Sequence, residues 1–162
     1  MSYHIYTTKG IVLSERPLKE ADRLYSILTR DFGLVRAHAI GVRKGVSKLR
    51  GSLEPVSLSI VSLVRGKEFW RLTSAEVIKS FKKSKPLLLL EQLVAGEAVH
   101  PELFDVIEQF ITSSDKKDES FEINFVAQIL FHLGYLKESD LNLDKKELIS
   151  AINQGLEQSQ LI

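Results

Sequence analysis

A glycine-bracketed basic stretch is the part of the sequence best suited to chemistry with a partner. The stretch GVRKGVSKLRG runs from Gly41 to Gly51 and contains no acidic residue. Guanidinium and ammonium groups neutralise phosphates and release counterions, which gives affinity for nucleic acid without sequence preference. Glycine adopts backbone conformations that other residues resist, so such a loop can follow a flexible strand. The cations of this loop are Arg43, Lys44, Lys48 and Arg50.

Further basic residues lie on or beside predicted strands, and we predict that the fold brings them together with the loop. They are Arg36, Arg65, Lys67 and Arg71. Phe69 and Arg71 alternate with Trp70 and Leu72 along one predicted strand. Because alternate residues of a strand face opposite sides, burial of Trp70 would leave Phe69 outward beside Arg71, where its ring could stack on a base. The opposite assignment, with Phe69 buried, stays open from the sequence alone.

No catalytic or metal-binding pattern competes with this basic set. The chain has no cysteine, which excludes disulfides, thiolate zinc sites and a cysteine nucleophile. Neither a G-x-x-x-x-G-K-[ST] phosphate loop nor a G-x-S-x-G serine motif is present. The histidines sit far apart and are interpreted as surface or capping residues; they are His4, His38, His100 and His132. We therefore predict a protein that is not an enzyme and that needs no metal and no cofactor.

The charges are distributed unevenly along the chain. The formal net charge is only +1, yet residues 1–85 carry 17 Lys+Arg against 7 Asp+Glu, whereas residues 86–162 carry 5 against 14. An asymmetry of this size indicates that the first part meets a polyanion. Two solvated surfaces whose opposite charges attract each other remain the alternative.

The first part is predicted to form a small barrel. Five short runs with alternating apolar residues, or rich in β-branched and aromatic ones, indicate strands. In one run Val35 and Ala37 alternate with Arg36, and in another Leu58 and Ile60 form the apolar side against two serines. Closure removes the exposed edges of a five-stranded sheet, and the OB-fold is the commonest barrel of this size with a basic surface. The runs are GIVLSE, RLYSILTR, VRAHAIGV, VSLSIVSLV and EFWRLTSAEVI.

The second part changes to helical spacing. The stripe that ends at Val94 and Ala98 predicts a helix over residues 86–99. Pro101 suits a first helical turn, Gly134 is placed to end a helix, and Asp144 can cap the last one. The predicted fold class is therefore all-β plus all-α. A five-stranded OB-fold barrel that binds nucleic acid spans residues 1–80, and a helical bundle spans residues 81–162.

Two features predict a cytoplasmic protein without membrane contact. The longest unbroken apolar run, PLLLL, is far shorter than the roughly 20 residues that a membrane span requires. The N-terminal stretch MSYHIYTTKG lacks the apolar core of a secretory signal.

A set of motifs over roughly residues 3–80 resembles a known family. The stretches YTTKGIVLSERPLKEADRLYSILTRDFGLVRAHAIGVRK and SKLRGSLEPVSLSIVSLVRGKEFWRLTSAEVI combine GIVL, EADRL…LT…G, LRG.L.P and L.SAE. At these spacings they closely resemble the N-terminal barrel of RecO, the bacterial recombination mediator. The stretches PELFDVIEQFI and FVAQILFHLGY are similar to the helical domain of the same family.

The resemblance implies a non-enzymatic DNA repair factor of the RecF recombination pathway. It implies binding of single- and double-stranded DNA, annealing of complementary strands, and help in loading RecA onto DNA coated with single-strand-binding protein. The implied partners are the C-terminal tail of single-strand-binding protein, RecR and, indirectly, RecA, and the implied place is the nucleoid. The basic DNA-facing strand and loop of the family fall at Arg36, Arg43, Lys44, Lys48 and Arg50.

The sequence departs from the family pattern after Gly134 and Tyr135. Many relatives carry a four-cysteine zinc module there, whereas GYLKESDLNLDKKELI has no cysteine. We therefore expect a short form without the zinc module, in which caps such as Asp144 hold that end. Two other functions stay open: a protein–protein adaptor whose basic barrel face binds acidic peptide tails, and an RNA-binding OB-fold protein.

Overall fold

The computed structural model of the chain describes residues 3–41, 53, 55–94, 96–113 and 118–159. Strands come first in these residues, and helices follow. The strands are β1 (Ile5–Pro17), β2 (Arg23–Thr29), β3 (Gly33–Ala39), β4 (Ser57–Val64) and β5 (Trp70–Ser80). The helices are α1 (Lys85–Leu93), α2 (Pro101–Thr112), α3 (Glu119–His132) and α4 (Lys145–Gln158), with a short 3-10 helix over Glu138–Asn142.

The strands close into a barrel in the order β1-β2-β3-β5-β4. Neighbouring strands are antiparallel except β3 and β5, which pair in parallel through Ala37 with Trp70 and His38 with Arg71. Strand β1 is long because its first part pairs with β4 and its second part pairs with β2. A closed barrel of five strands followed by helices is the predicted fold class, with an OB-fold at its N-terminal end. The prediction is confirmed.

The barrel interior is filled by apolar side chains of all five strands. On β3, Val35, Ala37 and Ala39 are fully buried, whereas Arg36 is exposed and His38 is half-buried. The alternation read from the sequence is therefore confirmed for this strand. The core is formed by Val12, Tyr25, Ile27, Val35, Ala37, Ala39, Leu53, Val61, Leu63, Trp70 and Leu72.

Strand β4 faces the core with the side that the sequence did not predict. Leu58 is buried as expected, but Ile60 is 38% exposed, and Ser57 and Ser59 are fully buried. These serines share the strand face of the core residue Val61, because alternate residues point to the same side. Their hydroxyl oxygens lie 3.2 Å apart and form a hydrogen bond, which offsets the cost of burying two polar groups.

The helix boundaries agree with the signals at Pro101, Gly134 and Asp144, but α1 ends earlier than predicted. Pro101 is the first residue of α2, and Gly134 follows α3 with a φ of 88°. The Asp144 carboxylate caps α4 by accepting the backbone N–H of Glu147 at 2.9 Å. Helix α1 stops at Leu93 rather than running to residue 99, because Val94 is extended. No helix in the described ranges combines the length and the apolar character needed to cross a membrane.

The described chain divides into two compact units. The barrel unit contains the described residues up to Lys83 and, from a later part of the sequence, Gly96–Val99. The helical unit contains the other described residues from Ser84 onward. Within the barrel unit, the backbone N–H of Leu34 donates to the carbonyl oxygen of Gly96 at 3.1 Å. The division into a nucleic-acid-binding domain over residues 1–80 and a helical domain over residues 81–162 stays a prediction.

Candidate nucleic-acid interface

The basic loop itself lies outside the described residues, together with Arg43, Lys44, Lys48 and Arg50. Both of its flanks are described and attached to the barrel. The chain leaves β3 at Gly41, and ahead of β4 the side chain of Leu53 is buried in the barrel core. The start and the return of the loop are therefore fixed on the barrel.

Asp22 anchors the start of the loop. Its Oδ1 accepts the backbone N–H of Gly41 at 2.7 Å, and its Oδ2 lies 2.7 Å from Nε2 of His38. The hydrogen bond from Gly41, followed by that from His38, lowers the pKa of the Asp22 carboxyl below its ordinary value of 3.8. Gly41 has a φ of 66°, a left-handed conformation that glycine adopts without strain. Asp22 lies within the motif EADRL, but the sequence indicated no role for its carboxylate, because that role depends on the turn that brings it to the end of β3.

Two predicted cations stand side by side on the outside of the barrel. We call Arg36, His38 and Arg71 the β3–β5 face, because they are the outward side chains where these strands pair. His38 is directly opposite Arg71, and Arg36 is two residues before His38. A strand spacing of about 4.8 Å and a rise of about 3.3 Å per residue place the Cα atoms of the two arginines about 8 Å apart. At this separation the two guanidinium groups can contact different phosphates of the same strand.

The turn before β5 contributes an aromatic ring and another cation. We call Arg65–Phe69 the β4–β5 turn. Trp70 is 4% exposed in the barrel core, whereas Arg71 is exposed and Phe69 is half-buried. The strand assignment with Trp70 inward is therefore confirmed, and the stacking role of Phe69 stays a prediction. Lys67 is exposed in the turn.

Arg65 is engaged by its own barrel unit. Its guanidinium carbon lies 4.4 Å from the centre of the Trp70 ring, and its Nη1 lies 3.5 Å from Oε2 of Glu97. The same carboxylate accepts the Trp70 Nε1–H at 2.6 Å through Oε1. We call Arg65, Trp70 and Glu97 the Trp70 cluster. Because Glu97 already balances its charge, Arg65 is less available to a phosphate than Arg36, Lys67 or Arg71, for which the described residues provide no carboxylate within 4 Å.

The five described site candidates gather around the start of β5 rather than over one broad face. Since β3 and β5 are parallel, the β4–β5 turn lies before their pairing, while Gly41 leaves β3 beyond it. The β3–β5 face lies between these two exits. The candidates so placed are Arg36, Arg65, Lys67, Phe69 and Arg71.

A second cationic stretch, which is not among the predicted site residues, lies at the end of β5. We call Lys79–Lys83 the lysine segment; Lys79, Lys82 and Lys83 are all exposed. A signal was present in the sequence, since residues 78–85 read IKSFKKSK and contain no acidic residue. The stretch follows the predicted strands and lacks the glycines of the basic loop, so it stood out less than that loop.

Comparison with known proteins gives one family. The family model described as "Recombination protein O N terminal" matches residues 1–81. The chain is 34% identical over 141 residues to the DNA repair protein RecO of Dehalococcoides mccartyi, covering 76% of this chain and 56% of the relative. The RecO proteins of Gloeothece citriformis and Trichodesmium erythraeum are 31% and 32% identical, over 79% and 80% of this chain and 50% and 51% of each relative. The chain thus spans about half the length of these curated relatives.

The family match is consistent with two features of the structure, the strand order of the barrel and the cations around β5. The match covers β1 to β5, and the likeness to the relatives extends into the helical unit. The chain belongs to the RecO family.

Proposed function

We propose that this chain is a non-enzymatic DNA repair protein that binds single- and double-stranded DNA through its barrel and anneals complementary strands. In the cell it works in the cytoplasm at the nucleoid. The family membership and the name "DNA repair protein RecO" borne by the relatives support this proposal.

The observation that carries the proposal is the pair of exposed arginines on the β3–β5 face. Arg36 and Arg71 lie about 8 Å apart by strand geometry, and neither is paired with a carboxylate of the described residues. Lys67 adds a third exposed charge in the adjacent turn. Cations that no internal carboxylate neutralises can release counterions from DNA on binding.

The proposed mechanism of annealing is local screening of charge. Two strands that carry like charges repel each other, and a cationic surface lowers this repulsion for strands held near it. The basic loop, whose flanks are fixed by Gly41 and Leu53, would add four cations to the β3–β5 face. The protein needs no catalytic group for this activity, because no bond is made or broken.

The recombination partners are part of the proposal. We propose that the protein recognises the C-terminal tail of single-strand-binding protein, acts with RecR, and so helps RecA to load onto coated DNA. A strand-annealing assay with naked and coated DNA tests these steps. Annealing of naked strands with no effect on coated strands would refute recognition of the coat while leaving DNA binding intact.

The salt dependence of DNA binding tests the site. About four to six phosphate contacts predict a log–log slope of roughly −3 to −6 for binding of the wild-type protein. Replacing Arg36, Lys67 and Arg71 with glutamine removes three contacts, so the slope for single-stranded DNA should become shallower by about 2. The matched control replaces the exposed helical-unit residues Lys137, Lys145 and Lys146 with glutamine, the same change in net charge. A flat salt response of the wild type, or equal slopes for the two variants, would refute the proposed interface.

A further inference from the structure

The lysine segment is a dense, exposed group of positive charge outside the interface described above. Lys79 lies near the end of β5, and Lys82 and Lys83 follow within four residues. All three side chains are exposed. Among the described residues, none of them forms an ion pair with a carboxylate, so their charge is open to a ligand.

Strand pairing and a backbone hydrogen bond attach the lysine segment to the barrel unit. Lys79 is paired with Leu58 in the β4–β5 ladder, and Ser80 is paired with Ser57. One residue later, the backbone N–H of Phe81 donates to the carbonyl oxygen of Val56 at 2.8 Å. The Nζ of Lys79 lies 5.7 Å from the centre of the Phe81 ring, which restrains this ammonium group near the strand.

Strand β5 separates the lysine segment from the β3–β5 face. Arg71 and Lys79 are eight residues apart on this strand, which corresponds to about 26 Å at a rise of about 3.3 Å per residue. The register shifts of β5 against β4 shorten this span. The separation is still well above the Debye length of about 8 Å at physiological salt, so the two groups attract phosphates independently.

The residues that flank the basic loop lie near the two ends of the β5 segment from Arg71 to Lys79. The loop starts at Gly41, three residues after His38, the partner of Arg71. Before β4, Val56 bonds to Phe81 inside the lysine segment. The described residues on either side of the loop therefore lie next to the β3–β5 face at one end and next to the lysine segment at the other.

We propose that the lysine segment is the far end of a track for one single strand of nucleic acid, which starts at the β3–β5 face. This inference rests on the proposed function and extends its site. A stacked strand rises about 3.4 Å per nucleotide along its axis, so a span of at most about 26 Å corresponds to no more than roughly 8 nucleotides, and to fewer for an extended strand. The occupant is a strand rather than a compact anion, because only an extended polyanion reaches both cationic groups.

The dependence of affinity on oligonucleotide length tests the track. The wild-type protein should bind thymidine oligonucleotides more tightly as they lengthen from about 4 to about 12 nucleotides, since only the longer ones reach both ends. The variant with Lys79, Lys82 and Lys83 changed to glutamine should lose most of this gain, and its salt slope for the longer strand should be shallower by about 2. Binding of the shortest strand should change little.

Three controls make the result decisive. The change of Lys137, Lys145 and Lys146 to glutamine alters the net charge equally and should leave the length dependence intact. Arginine in place of the three segment lysines should preserve it. On the wild-type protein, a bound 12-mer should protect Lys79, Lys82 and Lys83 from acetylation while Lys145 stays reactive.

Failure of the track and failure of the proposed function would give different results. If the glutamine variant binds every length as the wild type does, or if the segment lysines stay reactive in the complex, the track is refuted although the interface at the β3–β5 face stands. If the wild type binds no oligonucleotide at low salt, the proposed function itself fails.

Discussion

Glu97 forms an ion pair with Arg65, so under the proposed function its replacement should strengthen DNA binding rather than weaken it. Glu97→Gln keeps a carbonyl oxygen that can accept the Trp70 Nε1–H, but it removes the negative charge beside Arg65. The freed guanidinium remains over the Trp70 ring, which holds it at the end of β4. We expect the variant to bind single-stranded DNA more tightly than the wild type.

The size of the effect follows from one additional phosphate contact. Each contact adds about −0.7 to the log–log salt slope for a single strand. When salt falls from about 200 mM to about 50 mM, the affinity of the variant relative to the wild type should therefore grow by about 2.6-fold. The measurement is fluorescence anisotropy of a labelled oligonucleotide across this range of salt. Glu20→Gln, an exposed carboxylate in the same barrel unit, is the control for net charge alone.

Stability separates the charge from the hydrogen bond. The side chains of Arg65 and Glu97 are 59% and 47% exposed, so loss of their ion pair should cost less than about 1 kcal/mol of unfolding free energy. Glu97→Ala also leaves the buried indole N–H without its acceptor and should cost about 1–3 kcal/mol. Emission of Trp70, the only tryptophan, reports the unfolding. Equal salt slopes for Glu97→Gln and the wild type would refute the view that Glu97 withholds Arg65 from phosphates.

Three further predictions concern the barrel itself. The folded-state pKa of Asp22 lies below its ordinary value of 3.8, so its ionised form stabilises the fold above that pH, and this contribution is lost as the pH falls through the folded pKa. The thermal midpoints of the wild type and Asp22→Asn should differ at neutral pH and converge in acid; a constant difference would contradict this. Gly33→Ala should destabilise more than Gly134→Ala. Both glycines have positive φ, which costs about 1–3 kcal/mol for alanine, but only at Gly33 would the Cβ approach a backbone oxygen to 2.6 Å. Equal losses in urea unfolding would argue against that close approach. Burial, with help from Glu15, raises the pKa of Tyr25 to about 12, so one phenol should ionise near that pH in absorbance titration and vanish in Tyr25→Phe. Because the unfolded phenol ionises near 10, this contribution to stability falls as the pH rises from 10 toward 12.

Local patterns were sufficient to predict much of the fold. The alternation around Arg36 predicted the faces of β3, whereas the same period left two assignments open for β5 until the burial of Trp70 placed Arg71 outward. Pro101 marked a helix start because the first turn does not need the N–H that proline lacks, and Asp144 marked another by accepting the N–H of Glu147. Each of these signals involves residues close together in the chain.

The features that the sequence did not predict depend on residues distant in the chain. Ser57 and Ser59 face inward because the barrel neighbours of β4 determine which side is enclosed, and the apolar count favoured Leu58 and Ile60. The helix predicted beyond Leu93 does not form, because residues 96–99 belong to the barrel unit and contact it instead. The neutralisation of Arg65 needs an acid 32 positions away, so a charge count over the first part of the chain could not detect it.

The place of Gly96–Val99 limits how the barrel can be studied alone. These four residues sit between α1 and α2 in the chain but supply the acceptors for the Leu34 N–H and the Trp70 indole. A fragment that stopped at residue 83 would retain all five strands. It would leave these two donors without their acceptors and Arg65 without the Glu97 carboxylate. No single cleavage of the backbone produces the complete barrel unit. Measurements on a fragment that stops at residue 83 would therefore misrepresent both the stability of the barrel and its affinity for anions.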